Sequence, residues 1–289
     1  MFIGIDIGGT KCAVVKGETD DTGNIKITAK VKADTKTLNP DTALEFFANT
    51  VKDMCVSGEK PQAIGISCGG PLDSREGIIM SPPNLPGWDD VHIVNYMTEA
   101  LDVPAFLEND ANAAALGEYT ANGHNASSYI LITLGTGIGG GAVINSKIYR
   151  GFNGVGIEPG HMTLINGGER CTCGKHGCWE TYGSVTALIN QTKLKMTDNP
   201  DSLMHKISGK FGEVNGRVAF EAAKAGDRAG LEVVEKYTEY VADGITSVIN
   251  IFEPEILVIG GGISKEGEYL LNPIRKFVEI NEFNKYRPK

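Results

Sequence analysis

The chain carries no long basic run, no apolar stretch longer than a strand and no low-complexity linker. The first absence, with a net charge of −9 at pH 7, argues against an extended nucleic-acid surface. The second leaves nothing to cross a bilayer, since runs such as Ile256 to Ile259 are strand-sized. Phe2 to Ile7 already reads as a strand, so neither a signal peptide nor an N-terminal DNA-binding module is expected, and the cytoplasm is the expected compartment. A disulfide framework is not indicated either. Of the six cysteines, Cys12, Cys55 and Cys68 stand in core-like contexts and the other three are clustered.

Glycine, by contrast, is abundant: 37 of 289 residues, concentrated in loops. Gly4-Ile5-Asp6-Ile7-Gly8-Gly9-Thr10-Lys11 opens the chain, and Leu134-Gly135-Thr136-Gly137-Ile138-Gly139-Gly140-Gly141 repeats the idea later. Each glycine turn lies between two strand-like segments, so two related halves present backbone N–H groups suited to phosphate. An acidic chain can bind a polyphosphate when Mg²⁺ and local N–H groups supply the positive field. Gly135 to Gly140 formally fits the dinucleotide fingerprint, but that motif needs a helix to begin on the glycines. Here Gly141-Ala142-Val143-Ile144 continues as a strand. The first turn lacks P-loop spacing. Either turn alone reads as a simple hairpin, which also favours glycine; the pair points to a nucleotide.

Strands alternating with helices predict an α/β fold with mixed sheets flanked by helices. Asn39-Pro40-Asp41 starts a helix whose stripe is Leu44, Phe47, Val51 and Met54, ending near Gly58. Ala63 to Ser67 and Val103 to Leu107 read as buried strands, the second followed by a helix over 111–119. Further helices are expected near 179–195, 216–225 and 227–250, the last with Leu231, Val234, Val241, Ile245 and Val248 on one side. A strand over 255–259 and a helix from about Ser264 close the pattern. The length suits two domains, divided as 1–115 and 116–289.

Asp110 ends a strand where ligands of open α/β sheets gather, which makes it a candidate base; it is equally a good N-cap for the helix that follows. Asn109 offers a donor and an acceptor to a hydroxyl-rich ligand. Asp6, just before the first glycine turn, needs a cation between itself and a phosphate, which implies Mg²⁺, although an Asx-type turn support is its other reading. His161, Cys171, Cys173 and Cys178 offer one imidazole and three thiols within 18 residues, a set that suits closed, structural, tetrahedral Zn²⁺. His176 competes with His161 as fourth ligand, and free thiols are the plainer alternative. A metal clip there would preorganise Glu158, His161 and Glu180 as a sugar site requires; Glu180 also suits a helix first turn.

Taken together, these motifs resemble the ROK family of bacterial sugar kinases, within the hexokinase–actin–Hsp70 ATPase superfamily. Asp6 to Lys11 is similar to its first phosphate loop, Leu134 to Gly140 to its second, and Val258 to Gly262 to its adenosine segment. Glu108-Asn109-Asp110-Ala111-Asn112 resembles the segment that supplies the catalytic Asp, and Glu158 to His161 with Cys171 to Glu180 resembles the zinc and sugar signature. The resemblance implies a two-lobed, actin-like (ribonuclease H-like) fold with the active-site cleft between the lobes. It implies transfer of the γ-phosphate of ATP to a hexose 6-hydroxyl, with Asp110 as base and lobe closure excluding water. Gly69, Gly70, Asn84, Asn109, Asp110, Glu158, His161 and Glu180 would bind the sugar. Asp6, Gly8, Gly9, Thr10, Lys11, Gly135, Thr136, Gly137, Gly261 and Gly262 would bind the Mg²⁺-nucleotide. Glucose is the expected sugar, with N-acetylmannosamine and fructose kinases sharing the frame; a catalytically silent sugar sensor is the alternative of another class. A homodimer or homotetramer is expected. The resemblance also implies a further strand and a glycine-rich segment opening a final helix beyond the last helix here, where the sequence stops at Lys289.

Overall fold

The structure is a computed structural model that describes residues 1–20, 25–55, 58–122, 125–152 and 154–283. The six residues from Asn284 onward lie outside that set. The chain forms two compact units, Met1–Asn125 with Ile148–Gly156, and Ala126–Lys147 with Ile157–Lys289.

The first unit contains β1 (Phe2–Ile7), β2 (Lys11–Thr19), β3 (Ile25–Asp34), α1 (Pro40–Met54), β4 (Ile64–Cys68), β5 (Leu72–Asp73), β6 (Ile78–Ile79), α2 (Ile93–Leu101), β7 (Ala105–Asn109) and α3 (Asp110–Ala121). Its sheet runs β3-β2-β1-β4-β7. The first three strands are antiparallel neighbours, whereas β1, β4 and β7 are parallel. Along β1 the side chains alternate: Ile3, Ile5 and Ile7 are buried, while Gly4 and Asp6 face the other way. Ile64, Ile66 and Cys68 continue that buried face, and Leu44, Phe47 and Val51 of α1 with Ile93 and Met97 of α2 complete the core. Each such large side chain taken fully out of water contributes roughly 1.5–3 kcal/mol. Asn39 and Thr42 cap α1 reciprocally, each side chain accepting the other's backbone N–H, and Pro40 fills its first position.

The second unit contains β8 (Ser128–Leu134), β9 (Ile138–Ile144), β10 (Lys147–Ile148), α4 (Glu180–Gly183), α5 (Val185–Asp198), α6 (Leu203–Phe211), α7 (Val218–Lys224), α8 (Arg228–Phe252), β11 (Ile256–Gly260) and α9 (Glu268–Asn281). Its sheet runs β10-β9-β8-β11, with β8 antiparallel to β9 and parallel to β11. α8 buries Val233, Val234, Tyr237, Val241, Ile245 and Ile249. Leu231 lies outside that stripe and is exposed, since the buried face is set by Val234 and its neighbours at helical spacing. The indole of Trp179 is fully buried, donating Nε1–H to Tyr240 O of α8 at 2.8 Å.

Six elements have no counterpart in the sequence expectations: β3, β5, β6, α2, β10 and α6. The helix expected near 179–195 divides at Ser184, whose side chain accepts from Ala187 N and begins a new helix. The last helix starts at Glu268 rather than Ser264 because Gly267, at φ +58° and ψ −133°, interrupts it. No helix among the described residues is long and apolar enough to cross a membrane.

Gly244 of α8 leaves room for Trp179: a Cβ there would lie 2.0 Å from the indole. Gly244→Ala is therefore expected to destabilise the protein by about 1–3 kcal/mol through overpacking, despite alanine's better helix propensity. A thermal melt of the variant checks it; an unchanged or raised Tm would show that the indole is free to move aside.

Candidate active site

In parallel strands, residues paired in register point to the same face. β1, β4 and β7 end together, so Asp6, Ser67 and Glu108 form one cross-strand row, and Ile7, Cys68 and Asn109 form the next. Ser67 Oγ donates to Asp6 Oδ1 at 3.3 Å. Cys68 is wholly buried behind these groups. Burial, then the negative charges of Asp110 and Asp6, push its thiol up to about 12, so it stays protonated and inert. Both carboxylates thus act at the carboxyl edge of this sheet.

Asn109 is the N-cap of α3, its Oδ1 accepting from Ala111 N at 3.0 Å and Asn112 N at 3.3 Å. Asp110 follows as the first helical residue, exposed, with Oδ1 2.9 Å from Ala111 N; a negative charge is favoured in that first turn. Gly69 makes room for it, since a Cβ there would come within 2.9 Å of Asp110 Oδ2. Asn84 reaches the same neighbourhood, its backbone O lying 2.7 Å from where a Cβ of Gly9 would be. Gly70 (φ +102°) abuts Pro82 of the loop that carries Asn84. The first unit therefore brings Asp6, Gly9, Gly69, Gly70, Asn84, Asn109 and Asp110 onto one edge. Thr10 and Lys11 are exposed at the adjoining turn, where Gly8 N donates to Lys11 O.

In the second unit, the glycine turn between β8 and β9 is closed by Gly135 N donating to Gly137 O at 3.0 Å. Gly135 O in turn accepts from Val185 N at 2.8 Å, so the start of α5 rests on the turn. Gly261 approaches from β11: at φ +92°, its position allows no side chain, because a Cβ would lie 2.1 Å from Leu134 O. Gly262 follows it at the head of a short 3₁₀ turn. Thr136, Gly137, Glu180, Ser184, Gln191 and Tyr240 are among the residues lining a cavity of about 880 Å³ beside this turn.

The cysteine-rich segment packs against the same turn. The Pro159 ring lies over Gly140, and Glu180 Oε2 would be 2.5 Å from a Cβ at Gly137. One oxygen of Glu180 also faces the cysteines, accepting from the Cys171 thiol at 3.0 Å and lying 3.6 Å from His161 Nδ1. Ile157, immediately before Glu158, has φ +64°. That conformation is strained for a β-branched residue, at about 1–3 kcal/mol, and its side chain rests on Gly140.

His161, Cys171, Cys173 and Cys178 place one ligand atom each within 4.8 Å of one another. Cys173 Sγ lies 3.6 Å from Cys178 Sγ, and Cys171 Sγ 3.7 Å from His161 Nδ1. These separations match the edges of a tetrahedron around Zn²⁺ with bonds of about 2.0–2.3 Å. The donor set fits that ion. His176 does not join it, its Nδ1 lying 3.1 Å from Gly168 O. Sequence reasoning passed over Ser67 and Arg150, the latter paired with Glu108 at 2.5 Å; neither carries a local signal, since each acts across strands or loops.

A model of the ROK family matches residues 2–286. The glucokinase of Thermotoga maritima is 36% identical over 279 residues, covering 96% of this chain and 86% of that protein. The crystal structure of a ROK family glucokinase from Streptomyces griseus, in complex with glucose and AMPPNP, superposes with a TM-score of 0.78 at 33% identity, covering 100% of this chain and 92% of that one. The xylose repressor of Bacillus spizizenii is 29% identical over 281 residues, 96% of this chain and 68% of that protein.

The cysteine geometry predicts one zinc per chain in protein purified under reducing conditions. Cys173→Ser is expected to release it and to weaken sugar binding more than nucleotide binding. Elemental analysis finding no zinc in the reduced wild type would overturn the assignment.

Proposed function

Because the chain belongs to the ROK family, we propose that it is an ATP-dependent hexose 6-kinase whose sugar is glucose. The observation that carries the chemistry is Asp110 at the carboxyl ends of the parallel strands β1, β4 and β7, exposed in the first turn of α3 with Asn109 as the N-cap and with space left by Gly69. The choice of glucose is supported by the glucokinase relatives and by the glucose held by the Streptomyces griseus enzyme.

In this reading Asp110 accepts the proton of the sugar 6-hydroxyl as that oxygen attacks the γ-phosphorus of ATP. The new O–P bond forms as the bond to the β,γ-bridging oxygen breaks, and ADP leaves. General-base catalysis contributes typically 10²–10⁴-fold; positioning and charge stabilisation supply most of the rest. Gly8 and Gly135 spend their N–H groups closing the turns, so the amides of Gly9, Thr10, Thr136 and Gly137 are those offered to phosphate oxygens. Lys11 adds a positive charge beside the first turn. Gly261 and Gly262 leave a side-chain-free surface for the adenosine. Mg²⁺ carried on the triphosphate would be held through Asp6 and would offset charge on the phosphate oxygens.

Asn109 commits its Oδ1 to α3, leaving Nδ2 as a donor to a ring hydroxyl. Asn84, Glu158, His161 and Glu180 would bind the remaining hydroxyls, with Gly69 and Gly70 behind the ring. His161 faces the thiols with Nδ1 and keeps Nε2 for the sugar. Zn²⁺, held by His161, Cys171, Cys173 and Cys178, would serve as a structural clip. ATP and reduced thiols make the cytoplasm the compartment of this reading.

The xylose repressor relative favours a second reading, a sugar sensor without catalysis. A sensor has no use for a base at Asp110. Asp110→Asn is expected to lower kcat by about 10²-fold or more while sugar affinity, read by calorimetry, stays close to wild type. A variant that phosphorylates at the wild-type rate would remove Asp110 from the mechanism.

A further inference from the structure

Glu108 precedes Asn109 and Asp110 and its side chain is 13% exposed. Its Oε1 accepts from Asn109 N and from Asn112 Nδ2, both at 3.1 Å. Its Oε2 accepts from Arg150 Nε at 2.6 Å and Nη2 at 2.5 Å. Asn112 is 2% exposed and its Oδ1 has no partner among the described residues, so Glu108 is what holds its amide. One carboxylate thus grips the strand-to-helix turn at two points, and one guanidinium grips the carboxylate.

Arg150 is itself presented from a narrow neck of backbone. Gly156 N donates to Arg150 O at 2.9 Å, closing the loop between them. Within the neck the backbones touch: a Cβ on Gly156 would lie 2.8 Å from Gly151 N. A second tie holds the same loop elsewhere, Arg75 Nη2 donating to Phe152 O at 3.2 Å. That contact does not involve Glu108.

A carboxylate left without its charge partner at this depth would turn toward water. That turn would release the Asn109 N–H and the Asn112 amide, and with them the geometry of the cap. We propose that Arg150 is a positioning residue for phosphoryl transfer: by neutralising Glu108 and holding it against Asn109 and Asn112, it fixes the turn that aims Asp110. The proposal rests on the kinase reading of Asp110. Its atoms are 42 positions away in sequence from the turn it controls.

The test uses three variants of the full chain: Arg150→Met, Arg150→Lys and Arg75→Met. Small misplacements of a catalytic group cost up to about 10²-fold. Arg150→Met is expected to lower kcat by about 10–100-fold with KM for ATP little changed, and millimolar guanidinium ion is expected to restore part of the loss. Arg150→Lys, which keeps the charge but not the fork, should fall between Met and wild type. Arg75→Met should stay within about twofold of wild type, because it loosens the loop without touching Glu108. Zinc content and melting temperature confirm that each variant is folded. Wild-type kcat in both Arg150 variants, or an equal loss in Arg75→Met, would overturn the proposal. A readout independent of turnover is amide exchange at Asn109 and Asn112, protected in the wild type and faster in Arg150→Met; unchanged exchange would also overturn it. A wild type without hexose-dependent ADP release would instead sink the kinase reading.

Discussion

The register of β1, β4 and β7 puts the carboxylates of Asp6 and Glu108 at one edge of a sheet, with Asp110 following in the first turn of α3, where like charges disfavour one another unless something positive or proton-bearing lies among them. Each finds a different answer. Glu108 is turned inward and neutralised by Arg150. Asp6 accepts a hydrogen bond from the Ser67 hydroxyl. Asp110 stays exposed in the first turn of α3, where its Oδ1 accepts from Ala111 N at 2.9 Å.

The second unit answers a different requirement. Short loops do not hold side chains still by themselves. Here Glu158 and Glu180 flank the four-donor cluster to which His161 belongs, and the segment packs on Gly140 and Gly137 through Pro159 and Glu180. The left-handed Ile157 belongs to the same construction: its strain persists because its side chain is pinned on Gly140. Trp179, buried against α8 immediately after the knot, anchors its exit to the core of the unit.

What could be read from the chain, and what could not, follows from how far each signal travels. The glycine turns, the ligand spacing of the knot and the stripes of α1 and α8 are local, and each was legible. β3 alternates Ile25, Ile27, Ala29 and Val31 with Lys26, Thr28, Lys30 and Lys32, but both its faces are mostly exposed, so no core face marks it as a strand. The identity of the cap was not legible: Asn109 and Asp110 are both good caps, and only the backbone at their junction chooses. The Arg150–Glu108 pair leaves no trace in any window of sequence, because loop closure brings it about. His161 and His176 likewise differ only by where the turn at Pro159 aims them.

The chain is similar both to glucokinases and to a xylose repressor, so the discriminating quantity is turnover. The most direct measurement is hexose-dependent release of ADP by the zinc-loaded wild type across a panel of sugars, with the phosphorylated carbon identified by NMR. The account predicts one ADP per sugar consumed, glucose as the preferred hexose and phosphate on its 6-oxygen. Absence of sugar-dependent ADP release, or phosphate on the anomeric oxygen, would contradict it.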